Sequence, residues 1–251
     1  SDEFVALCGL REVDATRRLL GELGSAAAPL LERVTDDDSL AESVGWLLSG
    51  DAQGVVDAII AALESASSVE FADDIANARR NAAEFPGDPG VVVGLLMNLM
   101  TLRAGEALFL RAGQLHAYQS GLGIEVMAAS DNVMRGGLTP KHIDVDELMR
   151  VLERRSGAVA LVEPVDVSEG VIEYPVPVDD FRLWRGAASV KGVTIAPALP
   201  AIVLCVSGSI EVRGATGNLE LLPGQAAFIE GEESALVIAG RGEFFVAQPG
   251  A

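Results

Sequence analysis

Histidine is scarce in this chain: 251 residues contain two, His116 and His142. A lone imidazole cannot make a zinc site, which needs three or four ligands. Cysteine is equally rare. Cys8 and Cys205 lie far apart with no paired spacing, which argues against a disulfide framework and for buried thiols in a reducing cytoplasm. Positive charge is also short, with 18 Lys and Arg against 37 Asp and Glu and a net charge of −19. Repulsion from phosphate backbones excludes nucleic acid as a partner, since no basic cluster offsets it. Long hydrophobic runs are missing too. The most apolar stretch, Val91 to Leu102, is broken by Gly94 and Asn98 and falls short of the roughly 20 residues that cross a bilayer. No membrane partner is expected. The opening SDEFVALCGLR has no basic region of the signal-peptide kind.

What is present fits a globular protein of two or three folding units: 49% hydrophobic and 22% charged residues. Ser1 to Arg11 reads as a strand leading into a turn. From Arg11 to Gly87 apolar residues recur at helical spacing, as in Leu19, Leu20 and Leu23, or Val55, Val56, Ile59, Ile60 and Leu63. About four helices are predicted there. A capping box is placed at Ser39 with Glu42, and a further helix over Ala72 to Ala83. Trp46 is read as a core residue rather than a ligand platform. Val91 to Met100 is predicted as a helix packed on a sheet. Asp144 is expected to cap a helix from Val145 to about Arg154, with Glu147 at its third position.

Leu102 to Lys141 concentrates the unusual polar chemistry. The spacing predicts a strand from Leu102, a turn at Ala104-Gly105-Glu106, and a second strand over Ala107 to Leu110. Ala112-Gly113 turns the chain again, since glycine tolerates positive φ. His116 and Tyr118 then share one face of a new strand, because side chains two apart point the same way. Leu122 to Ala128 is read as another strand that puts Glu125 toward the same sheet as His116. Short strands joined by glycine turns suggest a β-sandwich or jelly roll. Arg155 to Gly170 reads as a connector. Strands are predicted again at Ile172 to Tyr174, Phe181 to Trp184, Ala201 to Val206, Ser209 to Arg213, Asn218 to Leu222, Ala226 to Ile229, Ala235 to Ile238 and Phe244 to Ala247. An internal repeat joins the two β regions: Leu102-x-x-Gly105-x-Ala107-x-Phe109 recurs as Leu221-x-x-Gly224-x-Ala226-x-Phe228. In that register His116 corresponds to Ala235, so one copy carries chemistry and the other does not.

The runs GEALFLRAGQLHAY and GIEVMAASDNVMRGGLTPKHID resemble the signature region of type I phosphomannose isomerases. The similarity extends more loosely from Phe4 to the C-terminal strands. That resemblance implies a zinc-dependent cupin enzyme interconverting mannose 6-phosphate and fructose 6-phosphate through a cis-enediol intermediate. It implies an α+β fold of duplicated cupin (jelly-roll) β-barrels with an all-helical insertion. The implied division is residues 1–12, a residual strand of the first cupin; 13–90, the helical insertion; 91–155, the C-terminal part of the first, catalytic cupin; and 156–251, a second cupin-like barrel. The family binds zinc with a Gln-x-His pair, a glutamate in a Lys-Pro-Glu context and the histidine of a His-Ala-Tyr motif. Only the last is present, as His116. By that alignment the sequence is the C-terminal portion of such an enzyme, with the other ligands expected upstream and the missing N-terminal segment as a possible partner.

The candidate site residues each have an ordinary alternative. His116 is read as a metal ligand, or as a core histidine bonded to a backbone carbonyl. Arg135, whose counterpart in the family is assigned a catalytic role, is otherwise a surface arginine after a turn; Gly136-Gly137 beside it predicts either close backbone passage or a sharp turn. Tyr118, Glu125, Asp131 and Lys141 are candidates for binding substrate. Their plain readings are an interior tyrosine, two solvated or turn-capping carboxylates and a surface lysine. An anionic sugar phosphate needs a local positive spot, for which Arg135 and Lys141 are the natural choices. His142 is expected to face solvent. The competing reading of the whole chain is a metal-free cupin that binds a sugar or acts by protein contact.

Overall fold

The computed structural model describes residues 3–130, 133–231 and 235–250. Within these, 3–123 and 133–160 form one compact unit, and 124–130 with 161–250 a second. Both mix helix or irregular chain with sheet, and each has its own apolar core.

The first unit begins with β1 (Glu3–Leu10), buried from Ala6 onward. Between it and β2 (Met97–Arg103) the chain is wholly helical: α1 (Val13–Glu22), a short 3-10 helix (Gly24–Ala26), α2 (Ala28–Arg33), α3 (Asp37–Leu48), α4 (Gln53–Leu63), α5 (Ala72–Glu84) and α6 (Gly90–Leu95). Then β3 (His116–Ser120) completes a sheet of order β2-β1-β3. Leu7, Leu10, Leu19, Leu20, Leu47, Ile59 and Val91 share one core, so the helices do not form a separate body. They cover one face of the sheet, and apolar burial drives that packing.

Arg11 fastens the junction. It is buried beside Asp74 of α5 in an ion pair, donates to Met97 O (2.8 Å), and lies 5.6 Å from the Phe71 ring centre. Trp46 is half-buried against the same core, with the Arg33 guanidinium 4.4 Å from its ring centre. It is thus a packing residue with one face covered by a cation.

Several local expectations are corrected. The predicted helix over Val91 to Met100 ends at Leu95, and β2 takes over at Met97. Cross-strand pairing with β1, Leu7 to Leu99 and Cys8 to Asn98, overrides the local helical pattern. The α3 capping box is built by Asp36, three residues before the expected Ser39. Asp36 Oδ1 accepts from Ser39 N (2.8 Å), while Ser39 Oγ accepts from Asp36 N (2.9 Å). Asp144 does cap α7 (Val145–Val151), accepting from Glu147 N at 3.0 Å. That helix stops at Val151 rather than near Arg154. Ala107 to Leu110 and Leu122 to Ala128 are in no strand. Glycines at 121 and 123, with φ of +100° at Gly121, pass closely against Phe4.

The second unit is an eight-stranded sheet. Its strands are β4 (Val165–Ser168), β5 (Val171–Tyr174), β6 (Arg182–Ala187), β7 (Val193–Ile195), β8 (Ala201–Arg213), β9 (Asn218–Leu221), β10 (Ala226–Ile229) and β11 (Leu236–Gln248). The path runs β10-β8-β11-β6-β5-β4, with β7 on β11 and β9 on β8. β4 lay hidden in the predicted connector because all four of its residues are exposed and carry no burial pattern. The pairs of strands predicted on either side of Gly208 and of residues 239–243 are instead the continuous β8 and β11. Glycines let both strands turn one corner. A Cβ on Gly208 would sit 1.9 Å from Arg241 O, and one on Gly240 2.4 Å from Ser209 O. Phe244 fills the core beneath Gly186, where a Cβ would come within 2.2 Å of its ring.

The internal repeat is visible as turn geometry. Glu106 N donates to Arg103 O (3.0 Å) around Gly105, and Gln225 N to Leu222 O (2.9 Å) around Gly224. In each the Glu or Gln side chain accepts from the first residue's N–H, at 2.8 and 2.9 Å. Arg111 to Gln114 is a third example, with 3.0 Å and 3.1 Å for the same two bonds. Glycine at the third position has φ of +96°, +83° and +79° in the three turns. An L side chain there is strained.

Candidate functional site

The open face of the first unit's sheet carries His116 and Tyr118. In β3 the alternation puts Ala117 and Gln119 toward the helices and His116 and Tyr118 away from them. Cys8 is the strand partner of His116, and Ala6 of Tyr118. Tyr118 meets Phe4 edge-on, ring centres 5.3 Å apart, and His116 at 5.7 Å. Tyr118 is half exposed at 48%, so it is not an interior tyrosine.

His116 is exposed, and its Nδ1 lies 3.1 Å from Gln114 O. The backbone-carbonyl contact of the ordinary reading is there; burial in the core is not. In the tautomer that donates from Nδ1, Nε2 is left as an acceptor facing outward. That is the arrangement by which a protein orients a metal-ligating imidazole. Among the described residues, however, no group of three or more His, Cys, Asp or Glu side chains is placed to hold a metal. The described residues therefore do not make a complete site by themselves. Cys8, the strand partner of His116, is fully buried, and burial pushes its thiol up to about 11.

The strand is held from behind by polar contacts. Asn77 of α5, 3% exposed, donates to Gln119 Oε1 at 3.1 Å and accepts from Arg80 at 2.9 Å. A β-bulge at Gly9 brings Gly9 N to Leu115 O (2.7 Å). Asn98 Nδ2 lies 2.9 to 3.3 Å from the carbonyl oxygens of Cys8, Gly9, Leu10 and Gly157. Gly113 lies against the end of α7, where a Cβ would be 2.3 Å from Val151 O, and Glu153 N donates to Gly113 O (2.8 Å).

Arg135 is exposed, between Met134 and Gly136, which are both half-buried. The close passage predicted at Gly136-Gly137 is observed. A Cβ on Gly136 would sit 2.7 Å from Leu115 Cδ1, and one on Gly137 2.4 Å from Gly90 Cα. The residue after Arg135 therefore packs on the residue before His116, and the two chain segments run side by side. Lys141 is exposed, its N donating to Thr139 Oγ1 at 3.2 Å. Among the described residues, no ion pair engages Arg135 or Lys141, so neither cation is neutralised by a carboxylate there. His142 faces solvent.

Two candidates remain, Glu125 and Asp131. Glu125 is exposed, lies in no strand, and falls in the 124–130 stretch that groups with the second unit. Its expected position on a strand facing the sheet of His116 is not found. Asp131 lies outside the described residues. Asn77, Asn98 and Gly9 were not singled out from sequence. Asn77 reaches Gln119 across 42 residues and Asn98 reaches Cys8 across 90, while Gly9 bonds to the still more distant Leu115; an isolated Asn or Gly gives no local signal of such contacts.

No family model matches the chain. Compared with curated proteins, it is 34% identical over 244 residues to mannose-6-phosphate isomerase of Escherichia coli (strain K12), covering 95% of this chain and 62% of that one. It is 33% identical over 243 residues to mannose-6-phosphate isomerase of Salmonella typhimurium, with the same coverage of 95% and 62%. Among solved structures, the apo form of mannose 6-phosphate isomerase from Salmonella typhimurium superposes with a TM-score of 0.86 at 32% identity, covering 99% of this chain and 64% of that one. A zinc-bound mannose 6-phosphate isomerase gives the same TM-score of 0.86, 32% identity and coverage of 99% and 64%. Over nearly its whole length, then, the chain is homologous to mannose-6-phosphate isomerases, of whose length it spans a little under two thirds.

Proposed function

We propose that this chain is part of a mannose-6-phosphate isomerase, contributing Arg135 and one metal-binding histidine, His116, to the site that interconverts mannose 6-phosphate and fructose 6-phosphate. The observation that carries the reading is the packing of Gly136 on Leu115, which runs the Arg135 and His116 segments together in a chain homologous to these enzymes along 95% of its length. Moving a proton between C1 and C2 of the sugar passes through a cis-enediol and builds negative charge on oxygen. A fixed guanidinium stabilises that charge. Arginine stays protonated and is a poor base, so another group carries the proton. Lys141 offers a second cation for the sugar phosphate in a chain of net charge −19. Tyr118 offers a hydroxyl beside His116. We assign Glu125 and Asp131 to the substrate side as well, on the resemblance alone.

Zinc enters through the zinc-bound relative. His116 would be one ligand, and the others would come from outside these residues, because the described ones make no complete site. We read the two β regions as cupin barrels related by duplication, which the recurring Arg103–Glu106 and Leu222–Gln225 turns support. Two free, buried thiols support a cytoplasmic setting. The imidazole on the open sheet face, with an aromatic neighbour and no group of three metal-binding side chains among the described residues, favours a second reading, a metal-free sugar-binding or interaction module. The two readings part in one experiment: assay of the isolated 251-residue chain, and of the protein translated from its whole reading frame, with mannose 6-phosphate and zinc. The proposal expects little turnover from the chain alone and zinc-dependent isomerisation by the longer protein. Robust turnover by the chain alone would refute the shared metal site, and none from either would favour the binding module.

A further inference from the structure

The geometry points to Gly90 and Gly137 as positioning residues for Arg135: a direct backbone contact between the start of α6 and the turn after the arginine fixes where the guanidinium leaves the chain. The inference rests on the proposed role of Arg135. A Cβ on Gly137 would sit 2.4 Å from Gly90 Cα and 3.1 Å from Gly90 N. One on Gly90 would sit 2.5 Å from Leu138 N and 2.7 Å from Gly137 Cα. Both obstacles are backbone, which cannot swing aside as a side-chain tip can. Asp88 Oδ1 holds the other side of the contact, accepting from Gly90 N at 2.6 Å.

A second observation shows that the turn is forced. Gly137 has φ of +113° and Leu138 φ of +52°, the latter the single non-glycine positive value among the described residues. A leucine in that region is strained by its Cβ, so surrounding contacts must hold it. Met134 and Leu138, on either side of Arg135, both pack against the helical core. The helices thus serve the site as a rigid floor. Displacing a catalytic group by about 1 Å can cost on the order of 10²-fold in rate.

The contacts predict a graded series. Gly90→Ala and Gly137→Ala each push on backbone and should lower kcat about 10- to 100-fold with a smaller change in KM. Gly136→Ala meets only the tip of Leu115, 2.7 Å away, and should cost less. Gly54→Ala, on α4 with nothing within 4 Å, should leave kcat unchanged. If the two glycines act through one contact, the double variant should lose less than the product of the single losses.

Kinetics are measured on the protein from the whole reading frame, well below its unfolding temperature. Amide hydrogen exchange over residues 134–139 is measured on the same variants. Asp88→Ala, which adds no bulk, covers the case in which the glycine variants fold poorly. Faster exchange confined to 134–139 together with the kcat losses supports the inference. Unchanged exchange and full kcat in Gly90→Ala, Gly137→Ala and Asp88→Ala overturn it. Should the parent protein lack isomerase activity, the functional reading fails, and the exchange data alone still decide whether this contact holds the Arg135 segment.

Discussion

The two units use β-sheet to opposite ends. In the second, β8 and β11 run 13 residues each and bury alternate side chains, Val203, Cys205, Ile210, Ile238, Phe244 and Val246, in a dry core. In the first, β3 is five residues long, and neither His116 nor Tyr118 is buried. The turns leading into the two regions are nearly superposable in their hydrogen bonds. The difference lies in the strands beyond them: His116 opens β3, while Ala235 stands just before β11. Turn chemistry is thus a property of the scaffold, and reactivity depends on which face the next strand leaves open.

The largest effect should come from the second unit's buried core. Phe244→Ala removes a fully buried ring and should cost about 3–5 kcal/mol. Tyr118→Phe on the open face should stay within about 0.5 kcal/mol. Each unit holds one tryptophan, Trp46 and Trp184. Denaturant curves on Trp46→Phe and Trp184→Phe backgrounds separate the two transitions. Equal losses for the two substitutions would erase the contrast.

Next is Arg11→Met, which strands Asp74 in a mostly buried position. Breaking such a pair costs about 3–5 kcal/mol when burial is complete, so the residual exposure places the loss near the lower end. The Trp46 signal should report it and the Trp184 signal should not.

The Asp36 cap gives a smaller, pH-dependent effect. Hydrogen bonds from the Ser39 backbone and hydroxyl hold the Asp36 carboxyl below its usual range. A carboxylate lowered in the folded state stabilises fully above its unfolded pKa. That contribution is lost as pH falls through the lowered folded value. The gap in Tm between the parent and Asp36→Ala should therefore be widest near neutrality and close in acid. A gap that widens in acid would contradict the cap.

Smallest of all, Ala235→His gives the second region the histidine it lacks. A single imidazole supplies one ligand, so titration calorimetry should show no new zinc binding.

Much of this was readable from local chemistry. Asp144 with Glu147, the glycine turns, and the placing of His116 and Tyr118 on one strand face all depend on residues within a few positions. The close passage at Gly136-Gly137 was legible because two adjacent glycines have few other uses. The failures share a cause in long-range contact. Asn98 reads in the sequence only as a polar interruption of an apolar run inside a predicted helix, yet it bridges β1 to Gly157 across up to 90 residues. Val165–Ser168 forms a strand that buries nothing, so no alternation betrays it. A period of two places Glu125 on a strand over Leu122 to Ala128, and the structure forms no strand there.

The central claim is tested most directly by steady-state isomerase kinetics of Arg135→Ala in the protein from the whole reading frame, beside its parent. Loss of one preorganised charge-stabilising group predicts a fall in kcat of about 10²- to 10³-fold with KM little changed. An unchanged kcat, with any effect confined to KM, would show that Arg135 holds substrate but does not stabilise the developing oxyanion.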